Sequence, residues 1–182
     1  MQEVKGDPTT SGQSDEGVFC AAYREFSPAV LSYLRSRGVE DPEGTTQDVF
    51  LALHPQLGDV RGGLQGVKSL VFSIAHARYV DEHRRRCKAP ATTGYDPDAD
   101  PRRDPSAEDQ VLAEEATANV QELLGTLQPD QQEVLALRIV ADLSLETTAE
   151  IMGKSPGAIK QLQRRALCRL RKLLNPLREG AS

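Results

Sequence analysis

The segment spanning residues 143–174 places the strongest constraint on the fold of this chain. Two stretches with helical apolar periodicity flank Gly153, and glycine suits a helix end because it enters the left-handed region without penalty. Ser144 is placed to cap the first helix, and Ser155 followed by Pro156 to start the second. Two helices joined by a glycine-containing turn, the second longer and basic, predict a helix-turn-helix.

The second helix of this motif is strongly basic, which favours DNA binding. No acidic residue lies between positions 154 and 178, and such a segment lowers its free energy by neutralising phosphates and releasing counterions. A solvated basic face would be the better interpretation of a lone basic helix, but the preceding turn and helix favour DNA. The first turns of a recognition helix normally meet the base edges. The residues predicted to contact DNA here are Ser155, Gly157, Lys160, Gln161, Arg164 and Arg165.

Composition narrows the classes of protein that this chain can belong to. Its 182 residues allow one domain or two small ones, and few aromatic residues and no tryptophan predict cores of Leu, Val, Ile and Ala. The net charge of −5 argues against a chain that coats DNA uniformly. The sequence lacks an apolar run of membrane-spanning length and an apolar signal core, so we expect a cytoplasmic protein without membrane insertion.

Potential ligands for a metal are scattered along the chain. The three cysteines are far apart, and no Cys or carboxylate set accompanies His76 and His83. We therefore expect no metal site, no disulfide framework and no cofactor, and we interpret both histidines as surface or groove residues. No P-loop, nucleophile elbow or dinucleotide fingerprint occurs, so we expect that the protein is not an enzyme.

Apolar periodicity along the chain predicts an all-α protein. Residues 1–15 are polar and are predicted to be a disordered tail, and residues 16–88 carry three helical stretches, the third beginning beyond Gly66. Residues 89–105 are polar and proline-rich, with aspartates interleaved with prolines after Tyr95, and they predict a flexible acidic linker. Residues 106–178 carry a helix from Ser106 and the helix-turn-helix. The sequence thus predicts two small helical domains on a flexible tether.

Three groups of residues, taken together, resemble a known family. Residues 47–51 (QDVFL) resemble the Q-E-x-F-L signature of sigma region 2.2, and residues 72–86 resemble the F-x-I-A…I-D-x-x-R-R pattern of regions 2.3 and 2.4. Residues 127–167 carry LQP, EVL, LS, AEI, GAIK and RAL in the order of region 4. The chain therefore resembles a compact sigma factor of bacterial RNA polymerase, of the extracytoplasmic-function type, from about Phe19 to Leu174.

The sequence also departs from this family pattern at several positions. Gly44 and Thr45 stand where the family usually has Asp and Leu, and Leu70 replaces a common Trp. Ala77 replaces a common Asn, and Thr148 occupies a position of the helix-turn-helix that is usually aliphatic.

The resemblance implies a promoter-specificity subunit with two conserved helical modules, regions 2 and 4. Its implied partners are promoter DNA and the β′ and β subunits of core polymerase, and an anti-sigma factor is a further partner that the sequence leaves open. Region 4 would read the −35 element and region 2 the −10 element. A stand-alone helix-turn-helix regulator is the alternative; that class usually binds as a dimer with a separate ligand or receiver domain.

The resemblance also assigns two sets of region 2 residues. Core-polymerase docking is expected at Gln47, Asp48, Phe50 and Leu51, with one of the last two belonging to the hydrophobic core. A melted strand needs a basic groove and base pockets. The −10 candidates are Arg61, Lys68, Arg78 and Arg84, each of which has a solvated charge as its alternative.

Overall fold

The structure is a computed structural model that describes residues 9–88 and 123–179, with side chains over 16–87 and 123–174. Within these ranges every regular element is helical, as the sequence predicts. The N-terminal module (residues 9–88) contains α1 (Thr9–Ser36), α2 (Pro42–Leu53), a 3₁₀ turn (His54–Asp59) and α3 (Gly63–Lys88). The C-terminal module (residues 123–179) contains α4 (Pro129–Leu135), a π turn (Ala136–Val140), α5 (Leu145–Met152) and α6 (Pro156–Glu179).

Two helices of the N-terminal module begin earlier than the sequence predicts. Helix α1 begins at Thr9, inside the segment expected to be a disordered tail, because each residue added to an existing helix gains a backbone hydrogen bond. Helix α3 begins at Gly63, before the expected start beyond Gly66. Residues 1–8, the linker at 89–105 and the helix expected from Ser106, except its last turn, lie outside the described residues.

The three helices of the N-terminal module bury one continuous core. Each contributes large apolar side chains that are fully or almost fully buried, among them Val30 and Leu34 of α1, Phe50 of α2 and Phe72 of α3. Helix α2 starts at Pro42 because Asp41 caps it, and the Asp41 carboxylate accepts a hydrogen bond from the backbone N–H of Gly44 at 2.8 Å. The core fixes α3 against α1 and α2.

The C-terminal module forms the predicted helix-turn-helix. Ser144 caps α5 by accepting the Thr147 backbone N–H at 3.0 Å, and Gly153 ends it in the left-handed region at φ 60°. Ser155 then caps α6 through the Ala158 backbone N–H at 3.2 Å. Thr148, which replaces a usual aliphatic residue, is fully buried and donates its hydroxyl to the Ser144 carbonyl at 2.8 Å. The buried hydroxyl is therefore satisfied within its own helix.

The two modules pack against each other. Ala136, Leu137, Ala141 and Leu143 of the C-terminal module belong to the same buried apolar cluster as the N-terminal core. The sequence predicts two modules on a tether but carries no local signal for this contact. Among residues 9–88 and 123–179, no helix combines the length and the hydropathy that crossing a membrane requires.

Candidate nucleic-acid interface

Helix α6 presents the basic residues of the helix-turn-helix to solvent. Ile159 and Ala166 are fully buried and hold one face of the helix against α4 and α5. The opposite side is open, because apolar residues at helical spacing occupy a single stripe. All six residues that the sequence predicts for DNA contact are exposed: Ser155, Gly157, Lys160, Gln161, Arg164 and Arg165. The structure thus brings this predicted set together on one exposed surface.

The two adjacent arginines of α6 have different surroundings. Arg165 and Arg169 line a shallow cleft against the start of α4, together with Gln128 and Gln131. Arg164 lies outside this cleft and four residues after Lys160, so these two cations share one side of the helix. Arg164 therefore lies on the open side of the helix, whereas Arg165 lies at the cleft against α4.

The four −10 candidates do not form one surface. Lys68 is largely covered, with its side chain 15% exposed, and its ammonium donates to the Asp142 carbonyl oxygen at 2.9 Å. Arg84 lies roughly 160° around α3 from Lys68 at 3.6 residues per turn. Arg61, Arg78 and Arg84 are all exposed. In this arrangement the C-terminal module therefore engages one of the four predicted residues and leaves three accessible.

The loop that carries Arg61 is held by close backbone contact. The backbone N–H of Gly66 donates to the Gly62 carbonyl oxygen at 3.3 Å. A Cβ atom at Gly66 would lie 2.0 Å from the Arg61 carbonyl oxygen, which is closer than any side chain allows. Only glycine at position 66 therefore permits this conformation of the loop.

Of the four residues of α2 that are expected to bind polymerase, three lie on the surface and one lies in the core. Gln47 and Asp48 are exposed, and Leu51 is 70% exposed beside them. Phe50 is only 2% exposed and packs edge-on against Tyr23 at 4.8 Å between ring centroids. Phe50 is therefore the core residue of the pair and has no free surface for a polymerase contact, which corrects its place among the expected docking residues.

A buried polar cluster at the boundary of the modules was not predicted from the sequence. Glu133 of α4 contacts Tyr33 and Arg37 of α1 and His76 of α3. His76 is therefore partly buried and bonded to Glu133, and it is not simply a surface or groove residue. Burial alone would raise the pKa of Glu133, but the hydrogen bond from His76, the charge of Arg37 and the hydrogen bond from Tyr33 together lower it. The carboxylate is therefore ionised at neutral pH.

The same surroundings act on the phenol of Tyr33. Burial raises the pKa of Tyr33, and the Glu133 carboxylate raises it further, so the hydroxyl stays protonated and donates to Glu133. Within the described residues no group of three or more His, Cys, Asp or Glu side chains is arranged to hold a metal ion.

Comparison with known proteins identifies the family. The family model described as sigma-70, region 4 matches residues 123–172, which contain the helix-turn-helix. The ECF RNA polymerase sigma factor ShbA of Streptomyces griseus is 32% identical over 156 residues, which cover 80% of this chain and 82% of ShbA. The chain belongs to the ECF sigma factors. It is thus an RNA polymerase sigma factor, a DNA-binding protein of transcription initiation, as the sequence predicts.

Two further similarities extend over most of this sigma factor. The ECF RNA polymerase sigma factor SigD of Mycobacterium tuberculosis is 31% identical over 166 residues, which cover 86% of this chain and 77% of SigD. The solved structure of CnrH in complex with the cytosolic domain of CnrY has a TM-score of 0.65 at 23% identity and covers 91% of this chain and 95% of that one. The second similarity shows that the sigma factor shares the CnrH fold.

Proposed function

We propose that this sigma factor directs core polymerase to promoters by contacting two DNA boxes through two different helices. Helix α6 would read the −35 box, and α3 with its preceding loop would contact the −10 box. The exposed face of α6 carries the proposal, because Lys160, Arg164 and Arg165 are free of ion pairs with any described residue. Cations without internal partners remain available to phosphates and base edges.

Each of the two modules has its own binding partners. Residues 16–88 form region 2, which binds core polymerase and the −10 box, and residues 106–178 form region 4, which binds the −35 box. Residues 89–105 link them, and the polymerase sets the spacing between the two boxes. The protein acts by binding alone, without a catalytic centre or a cofactor, and it acts in the cytoplasm where bacterial polymerase works.

The docking surface for polymerase lies on α2. Gln47, Asp48 and Leu51 share an exposed face, with an apolar side chain beside two polar ones. Such a face suits a helical partner, since Leu51 provides apolar burial and Asp48 provides charge selectivity. The partner is the β′ subunit of core polymerase, and the β subunit completes the complex.

Run-off transcription with purified core polymerase on a promoter library tests the proposal. We expect transcripts from a subset of promoters that share two boxes, and only weak binding of duplex DNA by the free protein, because its net charge is −5. Absence of transcripts, together with a strong sequence-specific gel shift by the protein alone at physiological salt, would instead support a stand-alone regulator.

Charge reversal at Asp48 tests the docking surface separately. Asp48→Lys should weaken association with core polymerase by about tenfold, because a reversed charge at an interface opposes its complementary partner. Glu40→Lys is the matched control, since Glu40 is also exposed and lies in the same module. Co-purification with core polymerase measures the effect, and circular dichroism checks that the helix content is unchanged. Equal binding by both variants would remove Asp48 from the interface.

A further inference from the structure

One of the three cysteines lies next to a histidine near the end of α3. The Cys87 sulfur is 3.7 Å from Nε2 of His83, one helical turn earlier, and both side chains are exposed. Cys20 and Cys168 are also exposed, but within the described ranges neither forms a hydrogen bond with a histidine. Cys87 is therefore the cysteine whose proton has an acceptor already in contact.

The same pair lines an open cleft to which both modules contribute. The cleft has a volume of about 570 Å³, within the range of roughly 300–1,000 Å³ that small-molecule sites occupy. Besides His83 and Cys87, it is lined by Tyr79 of α3 and by Pro129 and Gln132 of α4. A small molecule attached to the Cys87 sulfur would therefore have room beside the helix and contacts from both modules.

Both permanently charged residues that line this cleft, among those the structure describes, are arginines. Arg37 has a side chain that is 3% exposed, and Arg86 is exposed. The Arg86 guanidinium is held in place because it donates to the Gly38 carbonyl oxygen at 2.9 Å. Each arginine has a carboxylate partner, Glu133 at 2.9 Å and Glu82 at 3.5 Å, but neither carboxylate lines the cleft. The lining therefore favours an anionic ligand.

The arginines also argue against a metal ion as the ligand of the Cys87–His83 pair. Thiolate and imidazole are good zinc ligands, but a protein zinc site uses three or four side chains. Within the described residues no third His, Cys, Asp or Glu is arranged with these two to hold a metal. Two nearby guanidinium groups would also repel a cation. The pair is therefore better suited to thiol chemistry.

We propose that this cleft binds a low-molecular-weight disulfide that carries carboxylates, and that Cys87 exchanges with it to form a mixed disulfide. His83 accepts the Cys87 proton as the sulfur attacks. The new bond joins Cys87 to one half of the ligand, and the other half leaves as a thiolate that takes the proton from His83. The Cys87 sulfur is oxidised and the departing sulfur is reduced, so the exchange needs no further oxidant.

The mixed disulfide would change the charge on one side of α3. Arg84 is exposed, lies three residues before Cys87, and is one of the residues proposed to contact the −10 box. Carboxylates of the attached ligand would lie near Arg84 and weaken its attraction for phosphates. This consequence rests on the proposed function, whereas the exchange at Cys87 does not.

The three exposed cysteines allow an internal comparison within the native full-length protein. With oxidised glutathione as the probe, mass spectrometry should find Cys87 modified about tenfold faster than Cys20 or Cys168, because only Cys87 has a base in contact. Cystamine, a disulfide with amines in place of carboxylates, should modify Cys87 more slowly than oxidised glutathione does, because the arginines repel it. Equal rates at the three cysteines with oxidised glutathione would overturn the proposal.

Two variants separate the base from the anion-binding group. His83→Gln should slow modification of Cys87 by about tenfold with either probe, because the base is lost. His54→Gln, at an exposed histidine of the 3₁₀ turn, is its matched control. Arg86→Gln should slow only the reaction with oxidised glutathione, by up to about fivefold, and exposed Arg85→Gln, outside the cleft, is its control. Wild-type Cys87 rates in both variants, with helix content unchanged by circular dichroism, would overturn the proposal.

Run-off transcription tests the consequence for promoters. A chain with Cys20→Ser and Cys168→Ser, modified at Cys87 by oxidised glutathione, should transcribe about fivefold less than the same chain after reduction with dithiothreitol. Equal transcription by the modified and the reduced chain would overturn the effect on the −10 contact. Failure of the proposed function would instead appear as absent transcripts from the reduced chain, with Cys87 still the fastest cysteine to react.

Discussion

Helices α3 and α6 are the two basic helices of the molecule, yet they use their cations differently. Helix α3 is packed by its own module through Val71 and Phe72 and by the other module at Lys68 and His76. Helix α6 buries a single stripe and leaves its cations to solvent. The surface that a basic helix offers to DNA is therefore set by its packing and not by its charge.

The basic surfaces of α6 and α3 therefore differ in whether they depend on the other module. The α6 surface is complete within the C-terminal module, because its capping residue and its buried anchors belong to that module. The α3 surface depends on the position of the other module, which engages Lys68. We expect three changes, from the largest effect to the smallest, to test this difference between the helices.

The largest effect is expected from the central aromatic residue of α3. Phe72 is fully buried, and Phe72→Ala should lower the free energy of unfolding by about 3–5 kcal/mol through lost burial and a residual cavity. Leu167→Ala on α6 is the apolar comparison. Leu167 is 46% exposed, so this change should cost less than about 1 kcal/mol. Urea unfolding measures both, and equal losses would contradict the difference in packing between the helices.

A smaller effect is expected from Arg164 on the open face of α6. A bidentate contact from arginine to guanine provides about 1–3 kcal/mol of discrimination between bases. Arg164→Ala should therefore reduce transcription from the cognate −35 box and narrow its advantage over boxes altered at one position.

Arg165→Ala is the comparison for this test, because Arg165 lines the cleft against α4. We expect it to weaken all boxes alike, as loss of a phosphate contact does. Transcription strength measured across single-position variants of the −35 box separates the two outcomes. Unchanged promoter ranking in Arg164→Ala would show that this arginine reads no base.

The smallest effect is expected from acidification of the contact between the two modules. The groups that contact Glu133 are Tyr33 and Arg37 from α1 and His76 from α3, and the cavity beside it is also lined by His83, Arg84, Asp130 and Lys154. The three contacting groups lower the pKa of Glu133 from its usual 4.5, so its contribution to docking is fully present above that value. The contribution is lost as the pH falls through the lower pKa of the docked carboxylate.

Distances between spin labels at the exposed Cys20 of α1 and Cys168 of α6, in a protein with Cys87 changed to serine, test this expectation as the pH falls below 4.5. The wild-type protein should open progressively, whereas Glu133→Gln should lack the titration that this carboxylate contributes. Circular dichroism at each pH separates opening from loss of helix. The same pH response in both proteins would show that other carboxylates control docking.

Local chemistry was sufficient to predict the helix ends that carry a capping residue or a terminal glycine. Asp41, Ser144, Gly153 and Ser155 each act within four residues of their own position, so their roles at helix ends follow from residue type and spacing. The recognition helix was predictable for the same reason, since its apolar stripe and its cations alternate with the period of the helix. The family resemblance added the assignment to transcription initiation.

Contacts between distant segments could not be predicted in this way. In the sequence, Glu133 resembles an ordinary surface residue of an amphipathic helix. No residue near it in the sequence indicates that its partners are His76 and Tyr33, which lie 57 and 100 residues earlier in the chain. The π turn at Ala136–Val140 likewise has no local signal. The choice between Phe50 and Leu51 as the core residue also required the structure, because adjacent apolar residues point to different sides of a helix.

The glycine beneath Arg61 has a consequence for genetics. Any side chain at position 66 would collide with the Arg61 carbonyl oxygen and displace the loop. A screen for mutants defective in use of the proposed −10 contact should therefore recover substitutions at Gly66 as well as substitutions of basic residues. These substitutions should leave polymerase binding intact and impair promoter use, although residue 66 has no side chain with which to touch DNA.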